Sequence, residues 1–148
     1  MDLAELLAFM RSHRHAVEAS VSAAGGPQAA VVGIAVSDRF ELCFDTLAQT
    51  RKAQNLRREG RAAFVIGGPG PGEERTVQYE GVADEPGGAE LESLKALYLA
   101  QFPDGVERQS WPGLIYIRVR PTWIRFSDFS VEPPRIQEWD SAALAAPR

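Results

Sequence analysis

Two adjacent cations, Arg51 and Lys52, are the residues whose type and position most strongly suggest chemistry. They follow Thr50, a residue type that opens helices because its side-chain oxygen accepts hydrogen bonds from the first free backbone N–H groups. A helix N-terminus carries about half a positive charge, which disfavours cations unless an anion lies beside them. We therefore predict a phosphate site formed by the helix N-terminus, the Thr50 hydroxyl and both cations. Two side chains that simply extend into water remain the alternative from composition alone.

The other reactive residue types do not form a self-contained catalytic site. His13 and His15 have no cysteine or suitably spaced carboxylate beside them, so we expect no metal site. The single cysteine, Cys43, lies in a predicted strand without a nearby histidine and is expected to be a buried structural thiol. No Ser-His-Asp pattern is present. A phosphate site without acid–base machinery favours an organic cofactor that carries the chemistry.

Composition narrows the class of protein. A chain of 148 residues that is 45% hydrophobic fits one domain. The net charge of −4 argues against a general nucleic-acid binder. No apolar run is long enough to span a membrane, and the N-terminal segment lacks the apolar core of a signal peptide. We expect a cytoplasmic protein without nucleic-acid or membrane partners.

Apolar–polar alternation, broken by Gly and Pro turns, predicts a β-rich chain. In residues 15–21, for example, Val17, Ala19 and Val21 alternate with Glu18 and Ser20. The predicted strands span residues 15–21, 29–36, 40–46, 61–66, 75–83 and 114–126, the last with a turn or bulge at Pro121; the predicted helices span residues 2–12, 51–59 and from Gly88 to before Pro103.

Two of these strands, 29–36 and 61–66, are apolar on both faces. A closed antiparallel barrel would cover one face of each strand and remove the sheet edges. The short helices are too few to cover the outer faces as well. We therefore expect a homodimer that buries the remaining apolar surface.

The segment Phe44-Asp45-Thr46, followed by a short turn and by Thr50-Arg51-Lys52, resembles the pyridoxamine 5′-phosphate oxidase-like FMN-binding split-barrel superfamily. The similarity runs from about His15 to Phe126. It implies a mainly β (α+β) fold, a six-stranded antiparallel split β-barrel with short flanking helices, in a homodimer that binds FMN between its subunits. Residues 1–148 would form a single FMN-binding domain, with about 130–148 as an irregular C-terminal tail.

The resemblance also implies roles for individual residues. Thr50, Arg51 and Lys52 would hold the FMN phosphate. Thr46 and the backbone beside Asp45 would approach the ring or the ribityl chain, and the backbone of the second strand near Val32 would lie along the flavin.

Departures from the oxidase pattern bear on the activity. Where the true oxidases have a Gln in the fifth strand this chain has Thr76, with Gln78 two residues later, and Ala30 stands where they have an Arg. Their C-terminal substrate-binding segment is absent, so oxidation of pyridoxamine phosphate is not expected. The sequence predicts a flavin-dependent oxidoreductase of unassigned small-molecule substrate. The alternatives are a deazaflavin-dependent reductase and a non-catalytic flavin-binding or stress-associated protein, with haem-binding relatives more distant.

Overall fold

The computed structural model describes residues 1–68 and 70–145. Within these residues the strands are β1 (His15–Val21), β2 (Pro27–Gly33), β3 (Ala35–Val36), β4 (Leu42–Leu47), β5 (Arg61–Gly67), β6 (Arg75–Asp84), β7 (Leu114–Asp128) and β8 (Arg135–Asp140). The helices are α1 (Leu3–Arg11), α2 (Arg51–Arg58), α3 (Gly88–Gln101), α4 (Gly105–Arg108) and α5 (Ser141–Leu144). The mainly β fold with short flanking helices is confirmed.

The strands form one antiparallel sheet in the order β2-β1-β5-β6-β7-β4-β3, with β8 added beside β7. The two end strands of this order, β2 and β3, are separated in the chain by Ile34 alone. The single predicted strand over residues 29–36 is therefore two strands: its first part pairs with β1 and its last two residues pair with β4. Because one bent segment supplies both ends of the sheet, the sheet curves round into a split barrel.

The barrel interior is filled mainly by large apolar side chains from β4, β5, β6 and β7. Helix α1 lies against β3 and places Leu6 and Met10, both fully buried, in this core. Helix α2 packs against β1 and β6 and buries Ala53 and Leu56, as their spacing in the sequence predicted. None of the described helices is long and apolar enough to cross a membrane.

The alternation in β1 is oriented with its polar residues inward. Glu18 and Ser20 are 1% and 3% exposed, whereas Val17 is 43% exposed on the outer face. Val17 pairs with Val31 of β2 and Val65 of β5, so these valines share that outer face. We call the surface formed by these three residues and by their neighbours Ala19, Ala29 and Ala63 the apolar stripe.

Two further features differ from the sequence prediction. Strand β7 runs unbroken past Pro121, and the irregularity expected there is a bulge in its pairing with β6, next to Gly81. The expectation of an irregular tail over residues 130–148 is wrong, since β8 pairs with the second half of β7 and α5 follows it. The first half of β7 pairs with β4, so the edge of its second half is available to β8. Trp139 of β8 is buried in this position. Residues 146–148 lie outside the described residues.

Candidate functional site

Thr50 begins α2 in the way its residue type predicted. Its backbone is extended, its Oγ1 accepts a hydrogen bond from the Ala53 amide at 3.4 Å and donates one to the Leu47 carbonyl at 2.9 Å. The Thr46 hydroxyl lies 3.1 Å from the same oxygen. Since the single hydroxyl proton of Thr50 is directed to Leu47, Thr46 is the donor in this contact. The two threonines therefore fix the end of β4 to the start of α2.

Arg51 and Lys52 occupy the first turn of α2, as predicted. Arg51 is exposed and Lys52 is half-buried, and within the described residues neither side chain makes an ion pair or a hydrogen bond. Their backbone N–H groups also have no acceptor in this part of the chain, because the residues four positions earlier precede the helix. The first turn of α2 thus carries two cations without an ion-pair partner in the described residues, and two backbone amides without an acceptor there. This donor set fits a phosphate group.

The same helix end lies beside the split in the barrel. Strand β2 pairs only with β1, and β4 pairs with β3 only at Leu42 and Cys43. The edge of β2 that carries Val32 and the edge of β4 that carries Asp45 therefore have no strand partner in the described residues. The Val32 side chain is buried in the core, so Val32 offers only its backbone to a ligand in the split.

The Asp45 side chain is committed to contacts with α3 and α4. The Tyr98 hydroxyl donates to its Oδ1 at 2.9 Å, and the Arg108 Nε donates to its Oδ2 at 2.9 Å. Burial and the adjacent Asp45 charge raise the pKa of the Tyr98 hydroxyl. Asp45 can therefore contribute its backbone, but not a free carboxylate, to a site in the split. The sequence did not indicate these partners of Asp45. Asp45 shares a strand face with Cys43, and a buried Cys43 requires that another element pack over this face.

A buried polar group beneath α2 was also missed. The Asn55 side-chain amide donates to Ser20 Oγ at 3.2 Å and to Gln28 Oε1 at 2.8 Å. Burial raises the pKa of the nearby Glu18 carboxyl, and the Lys52 ammonium, one turn earlier on the helix than Asn55, offsets part of this increase. The signal in the sequence was the spacing of Lys52, Asn55 and Leu56, which places all three on one helix face.

The remaining reactive residues do not join the site. His13 Nδ1 lies 2.9 Å from the Phe9 carbonyl, and His15 is exposed at the start of β1. In residues 1–68 and 70–145 no three potential metal ligands come together. Cys43 is fully buried with its thiol directed at the Leu94 carbonyl, and burial raises its pKa. Within the described residues, the arrangement combines cationic and amide donors with two open strand edges, and no nucleophile or acid–base pair lies beside them.

The family model for pyridoxamine 5′-phosphate oxidase matches residues 3–128. Among solved structures, a haem-binding protein from Mycobacterium smegmatis aligns with a TM-score of 0.83 at 19% identity, over 96% of this chain and 59% of that chain. The chain therefore spans less than two thirds of that protein. The haem storage protein HutZ from Vibrio cholerae aligns with a TM-score of 0.71 at 14% identity, over 82% and 91% of the two chains.

A proposed pyridoxamine 5′-phosphate oxidase from Listeria innocua aligns with a TM-score of 0.68 at 20% identity, over 83% of this chain and 95% of that chain. No curated protein sequence matches the chain. The likeness to these structures is a likeness of fold, whereas the family model covers most of the sequence and ends with β7. The chain belongs to the pyridoxamine 5′-phosphate oxidase family of split-barrel proteins.

Proposed function

We propose that this protein binds FMN in the split between β2 and β4 and acts as a flavin-dependent oxidoreductase. The observation that carries the proposal is the pair Arg51–Lys52 at a helix N-terminus, where the described residues provide no ion-pair partner for either side chain and no acceptor for the two backbone amides. Each charge-assisted hydrogen bond to a phosphate contributes about 1.5–3 kcal/mol, which outweighs the helix-dipole penalty on the cations. A phosphate monoester is the ligand group that these donors suit best.

The split continues from the phosphate position along two unpaired strand edges. In the proposed complex the backbone of Val32 and of Asp45 borders the flavin ring or the ribityl chain, and Thr46 lies between these edges and the phosphate. Backbone donors and acceptors on an open strand edge can satisfy the polar rim of a flavin without a dedicated side chain. Bound FMN would supply the hydride or electron exchange, and this chain would hold it and exclude water from one face.

A second copy of the chain completes the proposed site. The apolar stripe leaves Val31 69% exposed and Val17 and Val65 each 43% exposed. Aligned valines on three neighbouring strands are unusual for a surface that stays in water. A homodimer formed through this face would cover the stripe and bring partner residues towards the split, which opens beside β2.

The direct test is titration of the purified protein with FMN, followed by quenching of flavin fluorescence. The double variant Arg51→Ala, Lys52→Ala should lower FMN affinity about 100-fold or more, because two charge-assisted contacts are lost. The matched control Arg39→Ala, Arg135→Ala also removes two positive charges, from exposed positions outside α2, and should leave affinity unchanged. Equal affinity in both double variants would remove the assignment of the phosphate site.

Measurements on the same purified protein distinguish three alternative functions. A deazaflavin cofactor carries a phosphate that the same cations could hold, so titration with both cofactors ranks the two. A non-catalytic flavin-binding protein would bind FMN that nicotinamide cofactors never reduce. Haem, which two structural neighbours bind or store by name, needs an axial ligand and would be recognised by its absorbance spectrum. A haem spectrum with no flavin binding would overturn the proposal.

A further inference from the structure

Glu18 is a buried carboxyl group that the proposed function does not yet use. It lies in the middle of β1, faces the barrel interior and is 1% exposed. Its Oε1 has no hydrogen-bond partner among the described residues. A buried ionised carboxylate with a free oxygen is costly, so a residue of this kind needs a compensating role or a proton.

The surroundings of Glu18 leave Lys52 as the charged group that acts on it. Across the sheet it pairs with Ala30 of β2 and Phe64 of β5, neither of which titrates. The Asn55 amide of α2 donates to Ser20, which lies two residues after Glu18 on the same face of β1. Because Lys52 lies one turn before Asn55, the helix places Lys52 next to Glu18. Burial raises the pKa of the Glu18 carboxyl, and the Ser20 hydroxyl and the Lys52 ammonium lower it by less. Glu18 and the predicted phosphate site therefore share one cation.

We propose that Glu18 is a specificity-determining residue of the anion site, and that its carboxylate takes up one proton when a phosphate monoester binds Arg51 and Lys52. The inference rests on the proposed function. With no ligand present, the Lys52 ammonium is the positive charge that stabilises the ionised form of the Glu18 carboxyl group. A bound phosphate dianion engages that ammonium and adds its own negative charge, so one proton from solvent joins the carboxylate and leaves a neutral carboxyl group.

This coupling makes the affinity of the site depend on the pH and on the charge of the ligand. Binding of a dianion is linked to proton uptake, so its affinity falls as the pH rises above the range in which Glu18 titrates in the free protein. Riboflavin lacks the phosphate, so its binding should not be accompanied by proton uptake. A phosphate monoester is already a dianion above about pH 7, since its second pKa is about 6, so the ligand does not supply the proton.

The experiment counts protons by isothermal titration calorimetry of the wild-type protein with FMN. Titrations between about pH 7 and pH 8.5, where the phosphate is already a dianion, are repeated in two buffers of different ionisation enthalpy. The expected maximum is roughly half to one proton taken up per FMN bound, with none for riboflavin. Glu18→Gln, which keeps the side-chain shape, should abolish the uptake and bind FMN about tenfold more tightly than wild type at pH 8.5.

Each outcome decides the proposal. Uptake with FMN that is absent with riboflavin and lost in Glu18→Gln supports it. FMN binding without uptake in the wild type, or with the same uptake in Glu18→Gln, overturns the role of Glu18 and leaves the proposed function standing. Absence of FMN binding overturns both. If Glu18→Gln does not fold, the wild-type comparison of FMN with riboflavin decides alone.

Discussion

The Asn55 side-chain amide lies 2.8 Å from Gln28 Oε1, so a single buried residue of α2 is bonded to the edge strand of the barrel. The same amide donates to Ser20 of β1, and the Arg58 guanidinium donates to the Val21 carbonyl at 2.6 Å. These bonds align α2 with the first hairpin. The orientation of the helix, and with it the direction of its N-terminus, is therefore set by polar contacts as well as by burial of Ala53 and Leu56.

Replacement of Asn55 by alanine should destabilise the protein by about 1–3 kcal/mol, because Ser20 and Gln28 lose a buried donor. Urea denaturation at neutral pH measures the loss. Ser93→Ala, an exposed change on α3, should have almost no effect. Equal midpoints for both variants would mean that the Asn55 contacts add nothing to stability.

Features of the structure could be predicted from the sequence where they depend on contacts between residues close together in the chain. The strand–turn–helix from Phe44 to Leu56 was predictable because capping, helical periodicity and the cation pair all lie within one short segment. The break between β2 and β3 at Ile34 was not predictable, because it arises when one segment of the chain pairs first with β1 and then with β4. The inward orientation of Glu18 was not predictable either, since alternation fixes which residues share a face but not which face is buried.

The ion pair between Asp84 and Arg118 should make the free energy of unfolding depend on pH in the acidic range. Arg118 donates to both carboxylate oxygens of Asp84, at 2.9 Å and 2.6 Å, and to Glu90 of α3 at 3.0 Å. The hydrogen-bonded Arg118 lowers the pKa of Asp84 below its ordinary value of 3.8. Its stabilising contribution is therefore complete above that value and is lost as the pH falls through the lower folded-state pKa.

Asp84→Asn should thus cost about 1 kcal/mol of unfolding free energy at pH 7, and the difference from wild type should shrink below pH 3.8. Urea denaturation between pH 3 and pH 7 measures this. Glu92→Gln, at an exposed carboxylate of α3, should show no such convergence. A constant difference across the range would show that Asp84 does not titrate differently in the folded and unfolded states.

Cys43 should be unreactive in the folded protein. It is fully buried between β4 and α3, and burial raises its pKa, so the thiolate that attacks a thiol reagent is neither exposed nor populated. Labelling with a chromogenic disulfide reagent should be at least about 100-fold slower than in a denaturing concentration of guanidinium, because it requires opening of the structure. Rapid stoichiometric labelling of the native protein would contradict this placement.

The apolar stripe predicts the oligomeric state. Val31 is 69% exposed and pairs directly with Val17, so a charge at position 31 would lie within the proposed interface. Burying an unpaired carboxylate there is costly. Val31→Glu should therefore raise the dimer dissociation constant about 100-fold or more. Light scattering during size-exclusion chromatography should give twice the chain mass for the wild type and the chain mass for the variant.

Val106→Glu is the matched control for this measurement. Val106 is 56% exposed on α4, outside the stripe, so the same substitution there should leave the dimer intact. A monomeric wild-type protein at micromolar concentration would show that the stripe is not an interface between copies of the chain. A dimer that survives Val31→Glu would place the contact on another face. For a monomer, a ligand in the split would have to be held by one subunit alone, through the cations of α2 and the open edges of β2 and β4.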